Sequence, residues 1–434
     1  MVPGFKIKAT SYESAGKTAV FRITPRALRG CIFELGVQHR SVKDAGPYGH
    51  LRTGFDIETR VCAHIAAHVT KTASRAPQNC RGTLASALER AAMHKNQKAV
   101  MNPKVTAIIP FYQRRAGLLA KAVQSALRQT AAVDLSILIV DDASPIPART
   151  ELAAELRAHP ESIRVIEQAN AGPGAARNNA LDNVPPGTEF VAFLDSDDMW
   201  TADHLANALR ALGTGYDFYF ADFIRSDWDS TALARCKKFR LADHRKLSSD
   251  PEIYEYVGDM VSQILSGNVL GTSVTVYRYS KFPTLRYPTQ LRQAGEDIIF
   301  WLDLASQTSR IVFSPRCEAD YGTGVNICYG ARWGTPEFVN VTHDDIRASL
   351  QIRKNFRLNP EQRKLVSQNL SRWRKDLTAG LLHDGAARGT AAFSMLMKHI
   401  RHDPAYAALC VPLTAAVVGE WVTARFRNTS RTTP

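Results

Sequence analysis

The sequence predicts an α/β fold. A mostly parallel sheet flanked by helices is preceded by a basic, poorly ordered N-terminal extension and followed by a helical C-terminal region. Three observations carry this reading. From residue 104 onward, short apolar runs alternate with amphipathic stretches of helical period, the pattern of repeated β-α-β units. Acidic clusters stand at the ends of two of those runs, where parallel sheets bind their ligands. Composition changes at Met101: ten of the fourteen net positive charges fall in residues 1–100, whose apolar residues keep neither strand nor helix period.

The elements follow in order. VTAIIPF (105–111) is the first strand, and LLAKAVQSALRQ (118–129) aligns its apolar residues on one helix face. LSILIVDD (135–142) is the second strand and ARTELAAELRAH (148–159) the second helix. IRVIEQ (163–168) is the third strand, after which the Gly-rich loop NAGPGAARNNAL (170–181) opens a helix. EFVAFLD (189–195) is the fourth strand, HLANALRAL (204–212) a helix and YDFYFAD (216–222) an aromatic strand. Residues 223–250 read as a polar loop, GTSVTVYR (271–278) as a strand, GEDIIFWLDLASQ (295–307) as a helix and RIVFS (310–314) as a closing strand. After about 340 the chain reads as three helices. Within residues 1–100, one short helix is expected at 83–95.

Bulk features exclude several classes. Seven cysteines with no C-x-x-C pair argue against a zinc site or a disulfide framework and suit reduced thiols in a cytoplasmic protein. The N-terminus lacks the apolar core of a signal peptide, and no run reaches about 18 apolar residues. The apolar stretch 405–419 is expected to be too short to span and to be interrupted at Pro412. The basic segment 1–100 carries no interleaved aromatics and no motif, so no nucleic-acid partner is expected.

The chemistry concentrates in four places. Asp195, Asp197 and Asp198 crowd the end of the fourth strand in FLDSDDMW. Like charges about 4 Å apart repel by about 4 kcal/mol at an effective dielectric near 20, a cost that a divalent cation offsets. Oxygen-only ligands point to Mn²⁺ or Mg²⁺. The structural alternative is a cluster capping the following helix. The Gly-rich loop offers backbone N–H groups to an anion, with Arg177 in the first turn, although it matches neither dinucleotide-binding nor P-loop fingerprints. Asp141 and Asp142 end the second strand, and Glu296 and Asp297 open an otherwise apolar helix.

Together, VTAIIPFYQR, IVDDASP, NAGPGAARNNAL, FLDSDDMW, GTSVTVYR and GEDIIFWLDL resemble the inverting family 2 glycosyltransferases of GT-A fold over residues 104–330. GVNICYGARWGTPE (324–337) resembles bacterial exopolysaccharide members of succinoglycan type. The resemblance implies a GT-A catalytic domain at 101–340, with a nucleotide-binding half at 101–200 and an acceptor half at 201–340, and a helical region at 341–434. It implies that Pro110 and Asp142, with Asp141 as second candidate, line the nucleobase pocket and that Arg177 contacts the nucleotide. Asp195 would bind ribose, and Asp197 or Asp198 the metal. Asp297 would be the general base assisted by Glu296, while Thr272 and Ser273 border the acceptor. The implied partners are a nucleotide-sugar donor, a UDP-hexose, and a saccharide or lipid-linked saccharide acceptor. The Q-x-x-R-W motif of processive synthases is absent, which favours single addition. A sugar-phosphate nucleotidyltransferase is a rival reading, as is a basic binding module fused to a degenerate transferase. Lys/Arg-rich runs at 353–375 and 425–431 suit either helices packed on the catalytic domain or a tail lying on the inner face of the plasma membrane.

Overall fold

The computed structural model describes residues 5–8, 18–25, 33–38, 102–322 and 331–429. The chain divides into two compact units, Met1–Val100 and Met101–Pro434. In the first, β1 (Phe5–Lys8), β2 (Thr18–Pro25) and β3 (Phe33–Gln38) form an antiparallel sheet that the sequence reading does not anticipate. The helix expected at 83–95 lies outside the described residues.

The second unit is built on one mixed sheet. Its first half alternates β4 (Lys104–Phe111), α1 (Leu118–Leu127), β5 (Asp134–Asp141), α2 (Ala148–Glu151), α3 (Ala153–Ala158), β6 (Ile163–Glu167), α4 (Pro173–Asp182) and β7 (Phe190–Phe193). Strand β4 pairs in parallel with β5 on one side and β7 on the other, and β5 with β6. Apolar residues alternate along β4: Ile108 packs into the core on one face, and Val105, Ala107, Ile109 and Phe111 into the core on the other. That is why the run is apolar throughout, as strands covered on both faces are. Pro110 lies past the last pairing with β7, Ile108 with Phe193, so its missing N–H removes no ladder bond there.

The second half comprises β8 (Met199–Trp200), α5 (His204–Gly213), β9 (Phe218–Arg225), α6 (Ala232–Arg235), β10 (Arg245–Leu247), β11 (Asp250–Glu255), α7 (Met260–Ser266), β12 (Thr275–Tyr277), α8 (Glu296–Gln307) and β13 (Ile311–Tyr321). The sheet order is β10-β11-β13-β9-β12-β7-β4-β5-β6, with β8 paired to β13. Strand β12 is antiparallel to both neighbours and joins the halves, while β9 and β13 run parallel. The segment read as a polar loop, 223–250, contains α6 and β10, too short for periodicity to reveal.

Three helices complete the unit: α9 (Pro336–Asn355), α10 (Pro360–His402) and α11 (Pro404–Thr429). Two segments read as separate helices merge into the 43-residue α10, which runs through Gly385 and Gly389. Helix α11 corrects a second expectation. It continues through Pro412, and Pro404–Thr423 is long and apolar enough to cross a membrane by length and composition.

Candidate active site

The chain leaves β4 for β5 and β6 on one side and returns to the other side of β4 as β7. The connections after β4 and β7 leave in different directions, the position at which open α/β sheets bind ligands. Gln113 lies just past β4. Its side-chain amide donates to Ser196 Oγ at 3.2 Å, and its backbone N–H donates to Ser144 Oγ at 2.9 Å.

Asp141 and Asp142 are buried at the end of β5, and both are engaged by the chain itself. The Asp141 carboxylate accepts from the backbone N–H groups of Ser144 and Ala148, each at 2.7 Å, closing the turn that starts α2. Asp142 accepts from the N–H groups of Ala171 and Gly172 at 2.7 and 2.8 Å and from the Gln168 amide at 2.8 Å. The N–H groups of the Gly-rich loop thus hold the carboxylate of Asp142.

The acidic turn after β7 is braced from behind. Ser273 Oγ accepts from Asp195 N–H at 2.9 Å and donates to Asp198 Oδ2 at 2.6 Å. Gly322 N–H donates to Asp198 Oδ1 at 2.9 Å. Gly322 lies so close that a Cβ there would fall 1.8 Å from the Asp197 carbonyl oxygen. Asp198 is consequently turned inward and 3% exposed. Burial, with the charges of Asp195 and Asp197, pushes its carboxyl well above the usual range. Asp197 is half-buried and the more open of the two metal candidates.

Thr272 and Ser273 depart from expectation. The segment read as one strand begins with a 3₁₀ turn, Thr272–Val274, and both side chains are buried. Ser273 supports the acidic turn and does not border an open surface.

Arg177 stands between two acidic clusters. From α4 its guanidinium donates to Asp195 at 2.7 Å and to Glu296 at 3.1 Å, and it lies 5.2 Å from the Tyr287 ring centroid. Burial works against its charge, but the adjacent carboxylates outweigh it and raise its pKa. The residue joins the acidic turn to the start of α8, so three separate stretches of sequence meet at one side chain.

Helix α8 begins at Gly295, whose φ of +84° suits glycine and whose added Cβ would meet Ala348 Cβ at 2.7 Å. On α9, Asp344 accepts from the N–H groups of Arg292 and Gln293, each at 3.0 Å, and fixes the approach to that turn. Glu296 is buried, and burial together with the charge of Asp297 raises it to about 7. Asp297 is half-buried and accepts from Ile298 N–H at 2.8 Å; burial raises it too, against the pull of Arg177.

Among the described residues no group of three His, Cys, Asp or Glu side chains could hold a metal ion alone. Mg²⁺ and Mn²⁺ take one or two carboxylates and complete their shell with substrate phosphates and water, a donor set that Asp197, with Asp195 or Asp198 beside it, would fit.

Sequence reasoning does not single out Gln113, Ser144, Ser196, Tyr287, Arg292, Gln293, Gly322, Asp344 or Ala348. The spacing of Asp141 and Ser144 in DDAS is a turn signal for one of them.

A mixed sheet with a switch point between β4 and β7, carrying carboxylates on the loops above it, defines the class of open α/β proteins that bind ligands at the carboxyl ends of their strands. The family model described as Glycosyl transferase family 2 matches residues 106–285. The Succinoglycan biosynthesis protein ExoW of Rhizobium meliloti is 32% identical over 308 residues, covering 69% of this chain and 94% of that protein. The Minor teichoic acid biosynthesis protein GgaA of Bacillus subtilis is 32% identical over 114 residues, 26% of this chain and 24% of that protein. Among solved structures, S. aureus TarS 1-349 in complex with UDP-GlcNAc has a TM-score of 0.46 at 16% identity, covering 74% of this chain and 92% of that one. The chain belongs to glycosyl transferase family 2 and is a glycosyltransferase.

Proposed function

We propose that the chain transfers a single sugar from a nucleoside-diphosphate sugar, a UDP-hexose, to a saccharide or lipid-linked saccharide acceptor, with inversion at the anomeric carbon. The observation that carries this is the meeting of Asp195, Arg177 and Glu296 beside Asp297 at the head of α8. Surface or exopolysaccharide synthesis is the setting suggested by the succinoglycan biosynthesis relative, which aligns along nearly its whole length.

In this reading the end of β4 at Pro110 and the loop around Asp142 form the nucleotide side, with Asp142 rather than Asp141 facing the Gly-rich loop. Asp195 and Asp197 would hold Mn²⁺ or Mg²⁺. When bound, the ion supplies positive charge to the diphosphate leaving group. Asp297 takes the proton of the acceptor hydroxyl as its oxygen attacks the anomeric carbon from the face opposite the leaving group. Glu296, paired with Arg177, fixes the orientation of the α8 N-terminus, and Arg177 holds Asp195 in place.

The test is to incubate the full chain with UDP-glucose and with UDP-galactose in the presence of Mn²⁺ and a β-linked oligosaccharide acceptor. Release of UDP and a donor-dependent rise in Tm are expected, since a ligand that binds only the folded state stabilises it. Pyrophosphate formation from UTP and a sugar 1-phosphate, without UDP release, would instead identify a nucleotidyltransferase.

The cytoplasmic face of a membrane is the proposed location. On α10 and α11, Phe393, Met397, Val411, Val418, Trp421 and Val422 are exposed, an apolar surface for peripheral contact with lipid. Co-sedimentation with anionic vesicles at low salt is expected; recovery of all the protein in the supernatant would end this part of the reading.

A further inference from the structure

Next to the acidic turn lies a buried polar network that the proposed reaction does not use. Glu318, on β13, is 1% exposed, and side chains from α5 and β9 converge on its carboxylate. His204 Nδ1 stands 2.9 Å from Oε2, the Tyr219 hydroxyl donates to Oε2 at 2.8 Å, and the Asn207 amide donates to Oε1 at 2.8 Å. Burial and the Glu318 charge raise the Tyr219 phenol, which keeps it a donor. Facing a carboxylate, the His204 ring carries its proton on Nδ1, and its Nε2 is buried with no hydrogen-bond partner. Taking a carboxylate out of water is costly, and apolar residues of similar volume are often at least as stabilising. Core packing alone therefore gains little from Glu318.

The network reaches the acidic turn by two routes. In the first, the His204 ring packs on Trp200 with 5.0 Å between centroids, and the Trp200 indole N–H donates to the Ser273 carbonyl. Ser273 is the residue whose hydroxyl holds Asp195 N–H and Asp198 Oδ2. The second route is backbone. The Glu318 carbonyl accepts from Thr201 N–H at 3.0 Å, and β8 pairs with β13 at Ala319 and Asp320. The same strand leads on to Gly322, the other donor to Asp198. Trp200 follows shortly after Asp198 and is buried, so the turn is fixed at its exit as well as from behind.

We infer that Glu318 and His204 are positioning residues for the donor site: through Trp200 and Ser273 they set the place from which Asp195 and Asp197 meet a cation and a nucleotide. The inference rests on the donor reading of the acidic turn proposed above and extends it to residues that touch neither ligand.

Isothermal titration of UDP into the full chain, in Mn²⁺ and in EDTA, tests it on Glu318→Gln, Trp200→Phe and the double variant. Glu318→Gln keeps the volume and removes the anion. Trp200→Phe keeps a ring against His204 and removes the N–H that reaches Ser273. Each is expected to weaken UDP binding in Mn²⁺ about tenfold, the effect of one lost hydrogen bond to a buried partner. Binding in EDTA is expected to stay at the wild-type level, a selectivity that loosened packing would not give. The double variant is expected to bind as the weaker single variant does, because both changes act along one chain of contacts. Should one single variant fail to fold, the other carries the test. Wild-type affinity in Mn²⁺ for a folded single variant overturns the positioning role, and so does a double variant whose loss is the product of the two. If the wild-type chain binds UDP no better in Mn²⁺ than in EDTA, the metal reading of the turn falls, and the positioning role with it.

Discussion

Arg177 donates a 2.7 Å hydrogen bond to Asp195, and the two belong to different β-α units of the sheet. The same guanidinium reaches Glu296 at 3.1 Å, on a helix far along the chain. Removing one partner of a buried ion pair costs about 3–5 kcal/mol because it strands the other charge. Arg177→Ala is therefore expected to lower stability in denaturant titration by about that amount. Arg177→Lys should recover only part of it, because an ammonium cannot present the two-pronged fork that serves both carboxylates.

Ser273 is the brace of the acidic turn, bonded to Asp195 N–H and to Asp198. Ser273→Ala leaves a buried carboxylate with one fewer donor, at a cost of about 1–3 kcal/mol. The expected result is a lower midpoint of urea unfolding with an unchanged m-value. A midpoint equal to wild type would show that the turn does not depend on this hydroxyl.

Gly322→Ala should be more damaging to function than to the core. The added methyl would stand 1.8 Å from the Asp197 carbonyl oxygen, so the turn carrying Asp195 and Asp197 must move. Weaker metal-dependent binding of UDP is expected by isothermal titration. Wild-type affinity in that variant would contradict the coupling.

Asp345 gives a pH signature. Burial raises it from 3.8 to about 7, with the charge of Asp297 next in weight. Below pH 4 the folded and unfolded chains both hold the proton and no penalty exists. As pH rises toward 7 the unfolded chain has released its proton while the folded chain retains it, so stability falls through this window. Above 7 the penalty is complete. Asp345→Asn removes it: its Tm is expected to match wild type near pH 4 and to exceed it by about 3 °C at pH 8.

Much of the donor half was legible in sequence. Strands β4 to β7 follow from apolar runs of strand length, and the acidic turn from three aspartates directly after one of them. What periodicity cannot show is which partner a polar group finds across the fold. Nothing in the spacing of Asp142 shows that the N–H groups of Ala171 and Gly172 donate to it. Nor does the D-x-D-D run show that Gly322, just past β13, donates to Asp198. Ser273 was assigned to a strand surface, but the chain there turns as a 3₁₀ segment and directs the hydroxyl inward. Pro412 was read as a break, whereas α11 runs through it. Asp345 gave no signal because adjacent acids on a helix are ordinarily solvated; its meaning depends on α8 packing beside α9.

The most direct measurement is turnover and UDP affinity of Asp297→Asn on the same preparation. Sugar transfer is expected to fall by about 10²–10⁴-fold, the share of a general base, while the variant binds UDP as wild type does. Turnover near the wild-type rate would contradict the assignment of Asp297 as the base and, with it, the proposed reaction at the head of α8.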